Sequence, residues 1–120
     1  MAQRKKPRAT CTVTEQMKAH IEELAIEIKL GRGNQGMAYR RLVALACENP
    51  HHPKRDFDAL AQQTANGAPV VYKSCVIDIK AQDQTLFQSY ARIHRIGSFD
   101  GVFTDMIYRG LSFHLDQLEK

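Results

Sequence analysis

Two hexapeptides, MAYRRL at residues 37–42 and MIYRGL at 106–111, echo each other within a chain of 120 residues. The segments before them align as well, at a shift of 66 positions. Ala9, Cys11 and Val13 then fall on Cys75, Ile77 and Ile79, Ile21 on Phe87, Leu24 on Tyr90, Ala25 on Ala91, and Gly31 on Gly97. The hexapeptides themselves match at a shift of 69, so the second turn is about three residues longer than the first. An internal repeat of this kind fixes the unit of folding before any single element is read.

Each unit predicts strand, helix, turn, helix. RATCTVT (8–14) alternates, with Ala9, Cys11 and Val13 on one side and Arg8, Thr10, Thr12 and Thr14 on the other. Thr14 is placed to cap a helix with Glu15 in its first turn, in which Met17, Ile21, Leu24, Ala25 and Ile28 share a face that Gly31 ends. GRGNQG turns the chain into a second helix over about 35–48, ending at Asn49-Pro50. In the second unit VYKSCVIDIKAQ puts Cys75, Ile77 and Ile79 on one side and Ser74, Val76, Asp78 and Lys80 on the other. Asp83 is the expected cap of the following helix, whose stripe is Leu86, Phe87, Tyr90, Ile93 and Ile96 and whose stop is Gly97. A last helix is expected over about 101–118. Between the units, 49–72 reads as a prolyl, basic linker holding a short helix capped by Asp56 and stopped at Asn66-Gly67. Residues 1–7 read as a flexible basic arm, and 8–48 and 73–118 as the two repeats sharing one core.

A lone strand cannot satisfy its own backbone donors and acceptors. The two strands, one per unit, supply each other by pairing antiparallel, their apolar sides covering four helices. The expected fold is therefore mostly α with a two-stranded antiparallel ribbon, a pseudo-dimer within one chain. The pairing is equally satisfied by exchange of halves between two chains.

Charge is unevenly spread. Residues 1–55 hold eleven Lys/Arg against five Asp/Glu, and 56–120 hold six against eight. A basic front half predicts a polyanionic partner, most simply nucleic acid. No apolar run approaches the length of a membrane span, and no secretory leader follows the basic start, so the expected location is the cytoplasm. Three cysteines (Cys11, Cys47, Cys75) without CxxC spacing fit a reducing compartment.

The strand–helix–turn–helix order, the helix-ending Gly31 and Gly97 and the MAYRRL/MIYRGL echo resemble the ribbon-helix-helix family of DNA-binding proteins, with two protomers fused in tandem. The match covers about 8–48 and 73–116. Fused members occur among plasmid-transfer accessory proteins of the relaxosome TraY type and among virC-operon enhancers of T-DNA transfer, which implies a piece of a longer protein. The resemblance implies double-stranded DNA as partner and a role in plasmid or T-DNA processing at border or overdrive sequences. Relaxase or other transfer proteins are implied as further partners, as are several copies of a monomer with an internal pseudo-two-fold on one DNA.

The same resemblance implies base contacts from the exposed ribbon side, namely Arg8, Thr10 and Thr12 with Ser74, Val76 and Asp78. Asp78 departs from the polar-basic pattern; it either accepts from cytosine N4, pairs with Arg8 or Lys80, or sits at the ribbon's edge. Phosphate contacts are implied for the start of the second helix at Asn34, Gln35 and Gly36, with Arg4, Lys5, Lys6, Arg32 and Lys80 adding cations. At the equivalent second turn Asp100 competes with phosphate if it caps the helix. Lys54 and Arg55 add to the positive field, and Tyr39 and Tyr108 read as core residues with a hydroxyl at the rim.

No catalytic constellation is expected. GRGNQG lacks the Lys-Ser/Thr of a phosphate loop, and Cys47, His51 and His52 lack a fourth metal ligand. No cofactor is expected. Two other readings stay open: a plasmid-borne repressor of the same fold, and an adaptor for a relaxase or coupling protein that does not bind DNA.

Overall fold

The hydroxyl of Thr14 accepts from the Met17 N–H at 3.2 Å, which turns an extended segment into a helix within one residue. At that junction β1 (Arg8–Thr14) runs directly into α1 (Glu15–Lys29), followed by α2 (Gln35–Glu48). The remaining elements are α3 (Phe57–Ala65), β2 (Tyr72–Asp78), α4 (Ala81–His94) and α5 (Phe99–Leu118). The computed structural model describes residues 8–29 and 35–120, without the side chains at 28, 29 and 35.

β1 and β2 pair antiparallel in a two-stranded sheet, with Arg8 opposite Asp78 and Thr14 opposite Tyr72. The Glu15 N–H donates to the Val71 carbonyl at 3.1 Å and extends the pairing by one step. Alternation places Ala9, Cys11 and Val13 at zero exposure, while Ile77 of β2 and Ile79 just past its end are also buried. Thr14, expected on the outer side, is buried instead, because its hydroxyl is committed to capping α1.

The covered side of the ribbon lies over a core drawn from α1, α2, α4 and α5, with Phe57 added from α3. Met17, Ile21, Leu24 and Ala25 of α1 are buried as the period predicts, and the Ile28 side chain lies outside the described residues. Tyr39 meets Phe103 edge-on at 5.8 Å, joining the middle of α2 to α5. The two helices approach so closely at Gly110 that a Cβ there would lie 2.8 Å from the Leu42 carbonyl carbon. A glycine at this crossing lets the backbones touch.

Several expectations are corrected. Leu86 and Ile93 are 40% and 50% exposed; only Phe87 and Tyr90 of the α4 stripe are fully buried, with Ile96 packed at the core's margin. Asp83 is not the α4 cap but its third residue, accepting from the Lys80 N–H at 2.9 Å while Lys80 takes the cap position. Asp83 is buried because Arg40 Nη1 reaches it at 2.7 Å from α2. α4 stops at Arg95, which adopts the left-handed conformation (φ 55°), two residues before the expected Gly97. Ser98 caps α5 by accepting from the Gly101 N–H at 3.1 Å, so that helix starts two residues early. The stop assigned to Gly31 lies outside the described residues.

The linker is tied down rather than loose. Asp56 caps α3 and Asn66 ends it in the left-handed region, as expected. Phe57 packs edge-on against Tyr108, and Asp58 accepts from the hydroxyls of Tyr108 at 2.8 Å and Tyr72 at 3.3 Å. Arg55 reaches Asp116 with both Nε and Nη2 and Glu119 with Nη2, while Lys54 pairs with Asp105. Arg109, only 8% exposed, donates to the His52 carbonyl and to the Tyr90 hydroxyl. No helix among the described residues is long and apolar enough to cross a membrane.

Candidate nucleic-acid interface

The pairing brings six predicted site residues together as three cross-strand pairs. Arg8 lies opposite Asp78, Thr10 opposite Val76, and Thr12 opposite Ser74. All six are even-numbered, so the pleat directs them to the side away from the core. Five are exposed and Thr10 is half-buried. The surface thus carries a guanidinium, three hydroxyls, a carboxylate and one apolar side chain, Val76, which is 52% exposed.

Asp78 takes the salt-bridge alternative. Arg8 Nε lies 3.2 Å from its carboxylate oxygen, with both side chains more than half exposed. Such a pair in water is worth well under about 1 kcal/mol, so either partner is easily drawn to a stronger one. Lys80 stands just beyond the ribbon, exposed at the start of α4.

The flanks of the ribbon are unlike. Along β1, the carboxylate of Asp100 accepts from the Thr10 N–H at 2.8 Å, and the Thr104 hydroxyl accepts from the Thr12 N–H at 3.4 Å. α5 therefore closes the edge of β1 that β2 leaves open. A cleft of about 480 Å³ follows this edge, lined by Asp58, Asp100, Asp105 and Lys54 among others. Its balance is acidic, and Ser98 already occupies the amide end of α5, so a phosphate is disfavoured there. Asp100 holds the ribbon edge instead of capping the helix. Beside β2, Arg40 Nη2 donates to the Asp78 carbonyl at 3.1 Å, linking α2 to the ribbon's end.

Among the expected phosphate contacts, Gly36 lies in the first turn of α2. Gln35 opens that helix, its side chain outside the described residues, as are Arg4, Lys5, Lys6, Arg32 and Asn34 altogether. Lys54 and Arg55 are spent on ion pairs with α5 and its end, and contribute less free charge than expected. Tyr108 presents its hydroxyl at the rim to Asp58, but the Tyr39 hydroxyl is buried with no hydrogen-bond partner among the described residues. Burial pushes the Tyr39 pKa well above the usual tyrosine range.

Sequence reading missed Lys73. Its parity puts it with the core-facing residues, opposite Val13, yet it is exposed near the start of β2 and adds a cation beside the ribbon. The Thr104 contact also had no local signal. Among the described residues no group of three or more His, Cys, Asp or Glu is placed to hold a metal. The chain matches no family model, no curated protein and no solved structure at a significant level.

Proposed function

We propose that this chain is a tandem ribbon-helix-helix pseudo-dimer that binds duplex DNA by laying the exposed side of its ribbon in the major groove. The observation that carries the reading is the alignment of Arg8–Asp78, Thr10–Val76 and Thr12–Ser74 on one exposed side of a two-stranded ribbon. Two strands about 5 Å apart fit a groove about 12 Å wide. There Arg8 is suited to guanine, the hydroxyls to donor or acceptor edges, and Val76 to a thymine methyl. The tandem relationship is supported by register: Thr10 and Val76 are matched by the 66-residue repeat and also face each other, where a local two-fold would pass. Equivalent starts of α1 at Glu15 and α4 at Ala81 keep the same spacing. The unlike strands and the acidic flank of β1 favour an asymmetric DNA site over a palindrome.

The biological role follows from the resemblance to the DNA-binding part of the second virC-operon virulence protein of Agrobacterium tumour-inducing plasmids. On that reading the chain is an accessory factor that assists T-DNA or plasmid processing at border or overdrive DNA, without catalysis of its own. An adaptor role for a relaxase or coupling protein is the second reading, favoured by the exposed Leu86 and Ile93 on α4.

Fluorescence anisotropy of a labelled duplex of about 30 base pairs, read against salt, tests the groove model. Tight duplex binding that falls steeply with salt and weakens at least about tenfold in Arg8→Ala/Thr10→Ala is expected. Binding indifferent to both substitutions, or equal on a single strand, defeats it. Relaxase capture that is lost in Leu86→Asp/Ile93→Asp, by a chain that shows no duplex affinity at low salt, supports the adaptor role instead.

A further inference from the structure

Cys11 and Cys75 stand directly opposite each other at the middle of the ribbon. Thr10 and Thr12 direct their N–H groups outward to α5, while the Glu15 N–H crosses to the Val71 carbonyl. Odd positions of β1 are therefore the ones that exchange hydrogen bonds with β2, and Cys11–Cys75 is such a pair. Residues so paired lie about 5.5 Å apart at Cα, within the roughly 4.4–6.8 Å that a disulfide spans. Cys11 is fully buried, Cys75 is half-buried against the same core cluster, and both are free thiols.

We propose that Cys11 and Cys75 form a redox site at which hydrogen peroxide closes a disulfide across the ribbon within one chain. The Cys75 thiolate attacks one peroxide oxygen; an S–O bond forms, the O–O bond breaks and hydroxide leaves. Cys11 sulfur then displaces the hydroxyl from the Cys75 sulfenic acid, forming S–S as S–O breaks. The two thiol protons end in water, so two thiols lose two electrons and one peroxide becomes two waters.

Exposure separates the roles: Cys75 is half-buried and Cys11 fully buried. The Cys11 thiol beside it lowers the Cys75 pKa against the opposing effect of burial, helped by nearby Lys18. The Cys11 thiol is pushed far up by its interaction with Cys75 and by burial. The more exposed Cys75 is thus the nucleophile and Cys11 the resolving thiol. Burial raises Cys47, which takes no part. A transient bond of this kind suits a reducing compartment, where disulfides serve mainly as sensors. Because both sulfurs lie on the covered side, the bond fixes the register without blocking the exposed pairs.

The full chain is treated with stoichiometric hydrogen peroxide, its remaining thiols are alkylated, and its peptides are mapped by mass spectrometry. Expected is a Cys11–Cys75 linkage in the monomer, reversed by a thiol reductant, kept in Cys47→Ser and absent from Cys75→Ser. The melting midpoint of the oxidised chain should rise by roughly 10 °C. Cys75 reaching sulfinic acid with Cys11 still alkylated, a linkage through Cys47, or a bond between chains would overturn the proposal. Cys47→Ser keeps the test decisive if Cys75→Ser folds poorly.

Discussion

Arg40 on α2 and Asp83 on α4 meet at 2.7 Å, the guanidinium about one-third exposed and the carboxylate only 9% exposed. Asp83 also accepts from the Lys80 N–H, and Arg40 also donates to the Asp78 carbonyl. Arg40 thus joins α2 to the end of β2 and the start of α4.

Asp83→Ala should remove two things together: the Arg40 partner that ties α2 to α4, and the acceptor for the Lys80 amide. A loss of about 2–4 kcal/mol is expected, since a partly buried cation and a helix-start donor both lose partners. Asp83→Asn keeps an acceptor and should lose less. Urea unfolding midpoints of the two variants decide it; equal and negligible losses would show the pair to be incidental.

Gly110 and Gly97 should respond oppositely to alanine. A methyl at Gly110 meets the Leu42 backbone, which cannot swing aside as a side-chain tip would. Gly110→Ala should cost at least about 1–3 kcal/mol and lower the melting midpoint. At Gly97 a Cβ meets nothing within 4 Å, and Gly97→Ala should stay within about 0.5 kcal/mol. A large loss at Gly97 would mean that the left-handed Arg95 is not what stops α4.

The acid limb of stability should report on Asp105. Burial raises its pKa, but hydrogen bonds from Lys54 and Tyr90 and the charges of Lys54 and Arg109 outweigh this and hold it below the usual carboxylate value. A folded pKa below the unfolded one, near about 3.9, means a contribution that is complete above the unfolded value. It is lost as pH falls through the folded value. Asp105→Asn should flatten that part of the curve while lowering stability at neutral pH. Chemical denaturation at several pH values between about 2 and 7 checks this; an unchanged acid limb would assign it to other carboxylates.

The outer side of the ribbon was legible because alternation depends only on the strand itself: residues 8, 10, 12 and 74, 76, 78 face outward whatever pairs with them. The buried face of α1 was legible at Met17, Ile21, Leu24 and Ala25 for the same reason, since they follow one unbroken period. α4 was not, because the burial of Asp83 is decided by Arg40, 43 positions away, and no local pattern carries that. The cations of the linker misled in the same way: Lys54 and Arg55 look free until Asp105 and Asp116 are brought beside them. The acidic edge of β1 likewise depends on Asp100, 90 positions from Thr10.

Asp78→Asn should separate repulsion from recognition, on the proposal that the ribbon enters duplex DNA. At present Asp78 holds Arg8 at 3.2 Å and places a carboxylate on the side offered to a polyanion. The amide keeps the size of the side chain but removes the charge, freeing the Arg8 fork for a phosphate or guanine. Non-specific duplex affinity at low salt should rise roughly three- to tenfold. The gain should shrink as salt screens it. If Asp78 accepts from a cytosine N4, affinity for the preferred site should instead fall relative to random duplex, because an amide oxygen is a weaker acceptor than a carboxylate. Paired titrations on an enriched site and on random DNA distinguish the two. No change on either would remove this side of the ribbon from the groove.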